Sequence, residues 1–224
     1  MALKTLLFTL CLTLTMPASA SDSPMTDENF MLVLREVEGA NKQEFGLVPT
    51  GPSTAVLADG EKVTLNHAWF DLIGDLHVRF VIDGEHTMQN LTMEDFSKLG
   101  ISPEQAVEIA IANIRNRYGV PHATEWDKGI MLVAGKSSDL DSSYFLDRAF
   151  WEALLKNHQE GVVVGVPKRG GLIYAPVSNH SAVADMEASI GALYESSENL
   201  RVSSALYLYK YGRWTVYSRP ASLE

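Results

Sequence analysis

The sequence predicts an α+β fold in which helix-plus-hairpin units form an antiparallel sheet, with the helices packed on one face of it. Three observations lead to this fold class. Short apolar segments end at tight-turn signals such as Asp83-Gly84 and Gly170-Gly171. Segments with helical spacing of apolar residues lie between them. The order of the elements lacks the strand–helix–strand rhythm that a parallel sheet requires.

The N-terminal part is predicted to start with a helix and to continue with short strands. Thr26 is typical of an N-cap, and Phe30, Leu34 and Val37 recur at helical spacing, which predicts a helix over residues 26–38. The strands of this part are predicted at residues 45–48, 54–57, 63–65 and 76–82.

Capping and turn signals define the elements that follow. Ser102, Pro103 and Gln105 form a capping box with proline in the first turn, and Gly119 closes the helix that they begin. Ser181 is predicted to cap a later helix. The helices are predicted at residues 94–99, 102–118, 147–158 and 181–196. The strands of this half are predicted at residues 130–134, 162–166, 172–174, 204–211 and 214–217.

The first twenty residues are typical of a secretory signal peptide. Lys4 supplies the basic start, residues 6–16 form an apolar run, and Ala18 and Ala20 are the small residues that signal peptidase requires. Cleavage after Ala20 predicts a bacterial protein that is periplasmic or secreted. The only cysteine, Cys11, lies in this leader, so the mature protein is expected to have neither disulfides nor thiol chemistry.

Behind the leader, the length fits one domain. Residues 21–25 are predicted to be a disordered start and residues 26–224 a single α+β domain, with a split into two subdomains near residues 135–143 as the alternative. The 224-residue chain carries a formal charge of -10 and has a pI near 5.0. This acidic balance argues against a nucleic-acid partner, because nucleic-acid binding needs clustered Lys and Arg. No later apolar run approaches the length of a transmembrane segment.

The C-terminal half resembles a known family. The runs LDRAFW at residues 146–151 and GVVVGVPKR at residues 161–169 are followed by LIY at residues 172–174, a helix and a final aromatic hairpin. This half is similar to the YtpQ-like family, bacterial proteins with a domain of unknown function. The resemblance covers residues 144–217 and implies no activity and no catalytic residues. The chain departs from the family in its leader and in Gly170, where the family commonly has an acidic residue.

Two features of the last hairpins are candidate binding residues. Lys168 and Arg169 precede two glycines at a hairpin tip, where cations and close backbone approach can hold a phosphate or a carboxylate. The alternative is that this tip is ordinary turn chemistry. Tyr207, Tyr209 and Tyr211 alternate along one strand and are predicted to face outward, as a surface for a partner. The alternative is that these tyrosines stabilise the hairpin by cross-strand pairing.

Histidines and carboxylates suggest a weaker metal site. His67, Asp71 and His77 lie within eleven residues and have side chains that suit zinc or manganese. Asp139 and Asp141 have the spacing of two calcium ligands, without the glycine and glutamate that complete such a loop. The alternative for both groups is that they are surface or strand residues without a ligand.

These patterns contain no complete catalytic constellation. No serine is paired with a base in a recognisable motif, and no phosphate-binding loop opens a helix. The sequence therefore predicts a non-enzymatic protein of the cell envelope that binds another protein or a cell-wall component, without a cofactor. The alternative is an extracytoplasmic metal-assisted hydrolase that uses His67, Asp71 and His77.

Overall fold

The computed structural model describes residues 24–220 and has the α+β architecture that the sequence predicts, with antiparallel sheets and separate helices. The predicted signal peptide and residues 21–23 lie outside the described residues. The strands are β1 Phe30–Glu36, β2 Val48–Pro49, β3 Ser53–Val56, β4 Lys62–Leu65, β5 Trp69–Ile73, β6 Leu76–Asp83, β7 Met88–Asn90, β8 His122–Asp127, β9 Ile130–Ala134, β10 Val162–Lys168, β11 Gly171–Pro176, β12 Leu206–Lys210 and β13 Arg213–Ser218. The α-helices are α1 Met93–Lys98, α2 Pro103–Tyr118, α3 Arg148–Leu155 and α4 His180–Glu195, and the 3₁₀ helices are Asp141–Leu146 and Glu198–Leu200.

The N-terminal half of the chain forms the first sheet. Its strand order is β1-β6-β5-β2, and β7 pairs with the end of β6. On one face Phe70, Phe80 and Phe96 pack ring against ring. Helix α2 packs against β1 at the sheet edge, where the Asn113 side chain donates a 2.9 Å hydrogen bond to the backbone carbonyl of Phe30. This cover protects an edge whose backbone groups would otherwise invite pairing with another chain.

The helix predicted over residues 26–38 is wrong, because Phe30–Glu36 is strand β1. Every side chain from Phe30 to Leu34 is buried, on both faces of the strand. A strand buried on both faces carries a continuous apolar run, and such a run also contains positions that match helical spacing. The backbone N–H of Thr26 donates instead to the Asn29 side chain, 2.7 Å away, in the turn before the strand.

Both predicted C-terminal hairpins belong to the second sheet. Its strand order is β13-β12-β10-β11-β9-β8, and each neighbouring pair is antiparallel. Strand β10 joins the two hairpins, because Val164 lies opposite Tyr174 of β11 on one side and Tyr207 of β12 on the other. The helix-plus-hairpin units therefore share one sheet.

Helices cover both faces of the second sheet, and not one face as the sequence suggested. On one face Met186 of α4 packs with Val163. On the other face the Trp151 ring of α3 lies 6.1 Å from the Tyr174 ring and 6.2 Å from the Tyr209 ring. Because the middle strands are covered on both sides, side chains that point in either direction are buried there.

Polar contacts join the two sheets around a shared apolar core. Ser143 of the first 3₁₀ helix donates a 2.9 Å hydrogen bond to the carbonyl of Leu32 in β1. Asp75, in the turn between β5 and β6, accepts hydrogen bonds from Ser203 at 2.6 Å and from Tyr207 at 2.7 Å. One cluster of buried apolar side chains includes residues from both sheets. These contacts fix the first sheet relative to the turn between β10 and β11.

The N-terminal caps of the helices agree in part with those predicted from the sequence. The capping box predicted at Ser102 is present at the start of α2. Asp147 caps α3 and also binds Arg115 of α2, with 2.7 Å between the carboxylate and the guanidinium. Helix α4 starts one residue earlier than predicted, and Asn179 is its cap in place of Ser181.

Candidate functional site

The face of the first sheet opposite its phenylalanine cluster carries polar side chains in register. Arg35 of β1 lies opposite His77 of β6, and His77 lies opposite Asp71 of β5. Two residues further along β6, Arg79 lies opposite Trp69. Paired residues on antiparallel strands share a face, and so do residues two apart along one strand. These side chains therefore form one continuous patch.

The turn between β10 and β11 adds a third arginine to this patch. The Arg169 backbone N–H donates to the carbonyl of Leu200 at 3.1 Å, and the Arg169 carbonyl accepts from the N–H of Ser142 at 2.9 Å. The Arg169 guanidinium donates to the carbonyl of Asn199 at 3.2 Å. These bonds hold the turn so that the charge of Arg169 acts on both Arg35 and Arg79. We call Arg35, Arg79 and Arg169 the arginine cluster.

The arginine cluster has no neutralising partner in contact. Within residues 24–220, no carboxylate lies within 4.0 Å of any of its three guanidinium groups. Burial, followed by the charges of Arg169 and Arg79, lowers the pKa of Arg35 to about 10, and the more distant Asp139 opposes this shift. Burial and Arg169 also lower the pKa of Arg79 to about 10. All three side chains remain partly exposed, so a soluble anion can reach them.

His77 lies beneath the cluster as a neutral side chain. Burial, then the charges of Arg79 and Arg35, lower the pKa of His77 to about 3, so its imidazole is uncharged near neutral pH. Arg79 donates a 2.6 Å hydrogen bond to His77 Nε2, which places the histidine proton on Nδ1. This Nδ1 is buried and has no hydrogen-bond partner in the described part of the chain. The patch therefore combines three cations with a neutral imidazole, and it also contains the Asp71 side chain, which lies opposite His77.

Trp69 fixes the direction of Arg79. The Arg79 guanidinium lies 4.0 Å above the Trp69 ring, at a distance typical of a cation–π contact. The rings of His67 and His77 flank Trp69, with centroids 4.9 and 5.8 Å from its own. An arginine held by stacking and by a hydrogen bond loses less conformational entropy on binding a ligand than a free one does.

The outward tyrosine row predicted from the sequence is wrong. Tyr207 is fully buried and Tyr209 is only 2% exposed, because Trp151 and the shared core cover this face of β12. Leu206 and Leu208, on the other face, contact the core under α4. Tyr211 is exposed, but it lies in the turn after β12 with a φ of 52° and does not extend a row.

Of the predicted basic tip, only one residue joins the patch. Arg169 belongs to the arginine cluster, whereas Lys168 is exposed and pairs through its backbone with Arg201. Sequence reasoning missed Arg35, because its segment was predicted to be a helix. Arg79 could have been identified from the sequence, because a charged residue inside an otherwise apolar strand needs either a partner or a function.

The predicted metal site is not formed. Within residues 24–220 no group of three or more His, Cys, Asp and Glu side chains is placed to hold a metal ion. Asp71 and His77 are neighbours across strands, but His77 Nε2 is occupied by Arg79, and the arginines disfavour a cation there. The charge of Arg79, after burial, also lowers the pKa of His67. Asp141 accepts hydrogen bonds from the backbone of Gly135 and Ser137, which is a structural role.

The serine–aspartate–tyrosine group at the sheet junction is closed to a substrate. Ser203, Asp75 and Tyr207 are mutually hydrogen-bonded and are 0%, 1% and 0% exposed. A nucleophilic serine needs both a base that accepts its proton and space for an acyl group. This group therefore holds the turn between β5 and β6 against β12.

Comparisons with protein-family models, with curated proteins and with solved structures found no match. In the described part of the chain, no helix has the length and apolar character needed to cross a membrane.

Proposed function

We propose that this chain is a non-enzymatic protein of the bacterial cell envelope that binds a phosphate-bearing component through the arginine cluster. The observation that carries the proposal is the set of three partly exposed guanidinium groups with no carboxylate in contact. Arg169 acts electrostatically on both Arg35 and Arg79, and this repulsion raises the free energy of the unbound protein. A bound anion removes that cost. The signal-like leader supports the location, and the resemblance to the YtpQ-like family stays a prediction.

The chemistry of the patch favours a compact anionic group. Guanidinium groups bind phosphate and carboxylate oxygens through paired, charge-assisted hydrogen bonds. Three guanidinium groups offer more N–H donors than the two oxygens of a carboxylate can accept, which favours the several oxygens of a phosphate. The rest of the chain is acidic, with a formal charge of -10 overall. A long polyanion such as a nucleic acid would be repelled outside the cluster.

Phosphate titrations of single arginine variants test this proposal. Calorimetry with inorganic phosphate and pyrophosphate, at low ionic strength, should show one binding site. Arg79→Gln and Arg169→Gln should each weaken binding roughly 10- to 150-fold, because a hydrogen bond to a charged group contributes about 1.5–3 kcal/mol. Arg213→Gln is the matched control, because Arg213 is exposed on β13 and its replacement removes one positive charge outside the cluster.

Three results would contradict the proposal. If Arg213→Gln weakens binding as much as Arg79→Gln, the attraction is a general charge effect. If the wild-type protein binds neither phosphate nor pyrophosphate, the cluster is not a phosphate site. Tighter binding of a dicarboxylate such as succinate would assign the cluster to carboxylates and overturn the choice of phosphate.

A further inference from the structure

A cavity lies away from the arginine cluster, between α2 and the hairpin of β12 and β13. Its volume is about 210 Å³, and its walls are mainly apolar, with Leu47, Leu72, Val107 and Trp214 among them. It shares no lining residue with the arginine cluster. We call it the apolar cleft.

The apolar cleft contains one buried polar group that lacks a partner. Tyr209 lines the cleft and is only 2% exposed. Its hydroxyl oxygen is buried and forms no hydrogen bond with any residue of the range 24–220. Folded proteins satisfy the large majority of buried polar side-chain atoms. Burial raises the pKa of the Tyr209 hydroxyl, so it keeps its proton and can act as a donor.

The charges at the cleft restrict the ligand further. Glu104 and Glu108 are exposed lining residues and disfavour an anionic ligand. Arg148 also lines the cleft, but its guanidinium is engaged by Glu152 at 2.6 Å. The cleft therefore offers apolar contact and one buried hydrogen-bond donor, and its two glutamates outnumber its one arginine.

We propose that the apolar cleft binds a small neutral molecule with an apolar ring or branched chain and one hydrogen-bond acceptor that faces the Tyr209 hydroxyl. An apolar cavity of about 150 Å³ holds one benzene molecule. At about 210 Å³, the apolar cleft has room for one ring with a short substituent. This site goes beyond the proposed phosphate binding and does not depend on it.

A matched pair of probes tests the proposal. Acetophenone has a ring and a carbonyl acceptor, and isopropylbenzene has a similar size, with a methyl group in place of the oxygen on a tetrahedral carbon. Binding of both is measured by NMR titration of the full mature protein. Tyr209→Phe should weaken acetophenone binding roughly 2- to 12-fold, the loss expected for one hydrogen bond, and should not weaken isopropylbenzene binding.

A second variant fills the cleft and keeps the test independent of Tyr209. Val107→Phe places a larger side chain in the wall and should abolish binding of both probes. Val120→Phe is its control, because Val120 is exposed outside the cleft. Arg79→Gln should leave both affinities unchanged, which separates this site from the phosphate site. The proposal is overturned if neither probe binds, if Val107→Phe retains binding, or if Tyr209→Phe weakens both probes equally.

Discussion

Replacing Asp75 by asparagine should remove a loss of stability that the wild-type protein undergoes as the pH rises from about 4 to about 6. Burial is the main cause that raises the pKa of Asp75 from 3.8 to about 6. Hydrogen bonds from Ser203 and Tyr207 partly oppose the shift, and the charge of Glu36 adds to it. One carboxylate oxygen, Oδ2, is buried and has no partner among the residues described here. The ionised form is therefore costly in the folded state.

The sign and size of the effect follow from proton linkage. Between the unfolded and folded pKa values, the folded state binds more protons than the unfolded state, so the free energy of unfolding falls as pH rises. The shift from 3.8 to about 6, at 1.36 kcal/mol per pKa unit, corresponds to about 3 kcal/mol. Only well below pH 3.8 is the carboxyl protonated in both states, and there it contributes no pH dependence.

Urea unfolding, followed by tryptophan fluorescence from pH 3.5 to 8, measures this effect. The free energy of unfolding of Asp75→Asn minus that of the wild type should rise by about 3 kcal/mol across the transition, with its midpoint between the two pKa values. Asp127→Asn, at an exposed position on β8, is the control and should show no such rise. If the difference in the free energy of unfolding between Asp75→Asn and the wild type is constant with pH, the pKa of Asp75 is not raised in the folded state.

Three further predictions concern the junction and the cluster. Tyr207→Phe removes a donor to Asp75 and should lower the free energy of unfolding by about 1–3 kcal/mol while phosphate affinity is unchanged, as urea curves and calorimetry can show. Gly74→Ala should lower the free energy of unfolding by at least about 2 kcal/mol in the same assay. The φ of Gly74 is 58°, and a Cβ there would lie 2.7 Å from the Tyr207 hydroxyl. Gly39→Ala is the control: Gly39 has a φ of 76° and open space around it, so the loss should be about 1 kcal/mol. Arg35→Gln should raise stability at low salt by about 1 kcal/mol, after allowance for solvent screening, and this gain should vanish in saturating phosphate. An Arg35→Gln protein that is less stable at low salt would contradict the last of these.

Local signals in the sequence predicted most of the elements. The capping box at Ser102 and the turn signal at Gly170-Gly171 correctly located a helix and a hairpin, since both depend on residues close together in sequence. The strand that contains Phe30 was mistaken for a helix, because its burial on both faces comes from elements far away in sequence. The same limit explains Tyr207, whose burial depends on Phe145 and on the shared core.

Only part of the candidate site could be predicted from the sequence. Arg169 was singled out as a cation at a glycine-rich turn, and it belongs to the cluster. Its proximity to Arg35 and Arg79 depends on how the two sheets meet, through contacts such as Ser143 with Leu32. The strand predicted at residues 76–82 contains Arg79, but the sequence does not show which side chains lie opposite it. A set of charges from three separate segments has no signature in a single segment.

The most direct test of the arginine cluster observes the guanidinium groups themselves. In a two-dimensional ¹H–¹⁵N NMR spectrum, each arginine Nε–H gives its own signal, and these signals can be followed as phosphate is added. If the cluster binds phosphate, the signals of Arg35, Arg79 and Arg169 shift together along one saturating curve, while that of Arg213 does not shift. Unsaturable shifts of equal size at all arginines, with Arg213 included, would contradict it.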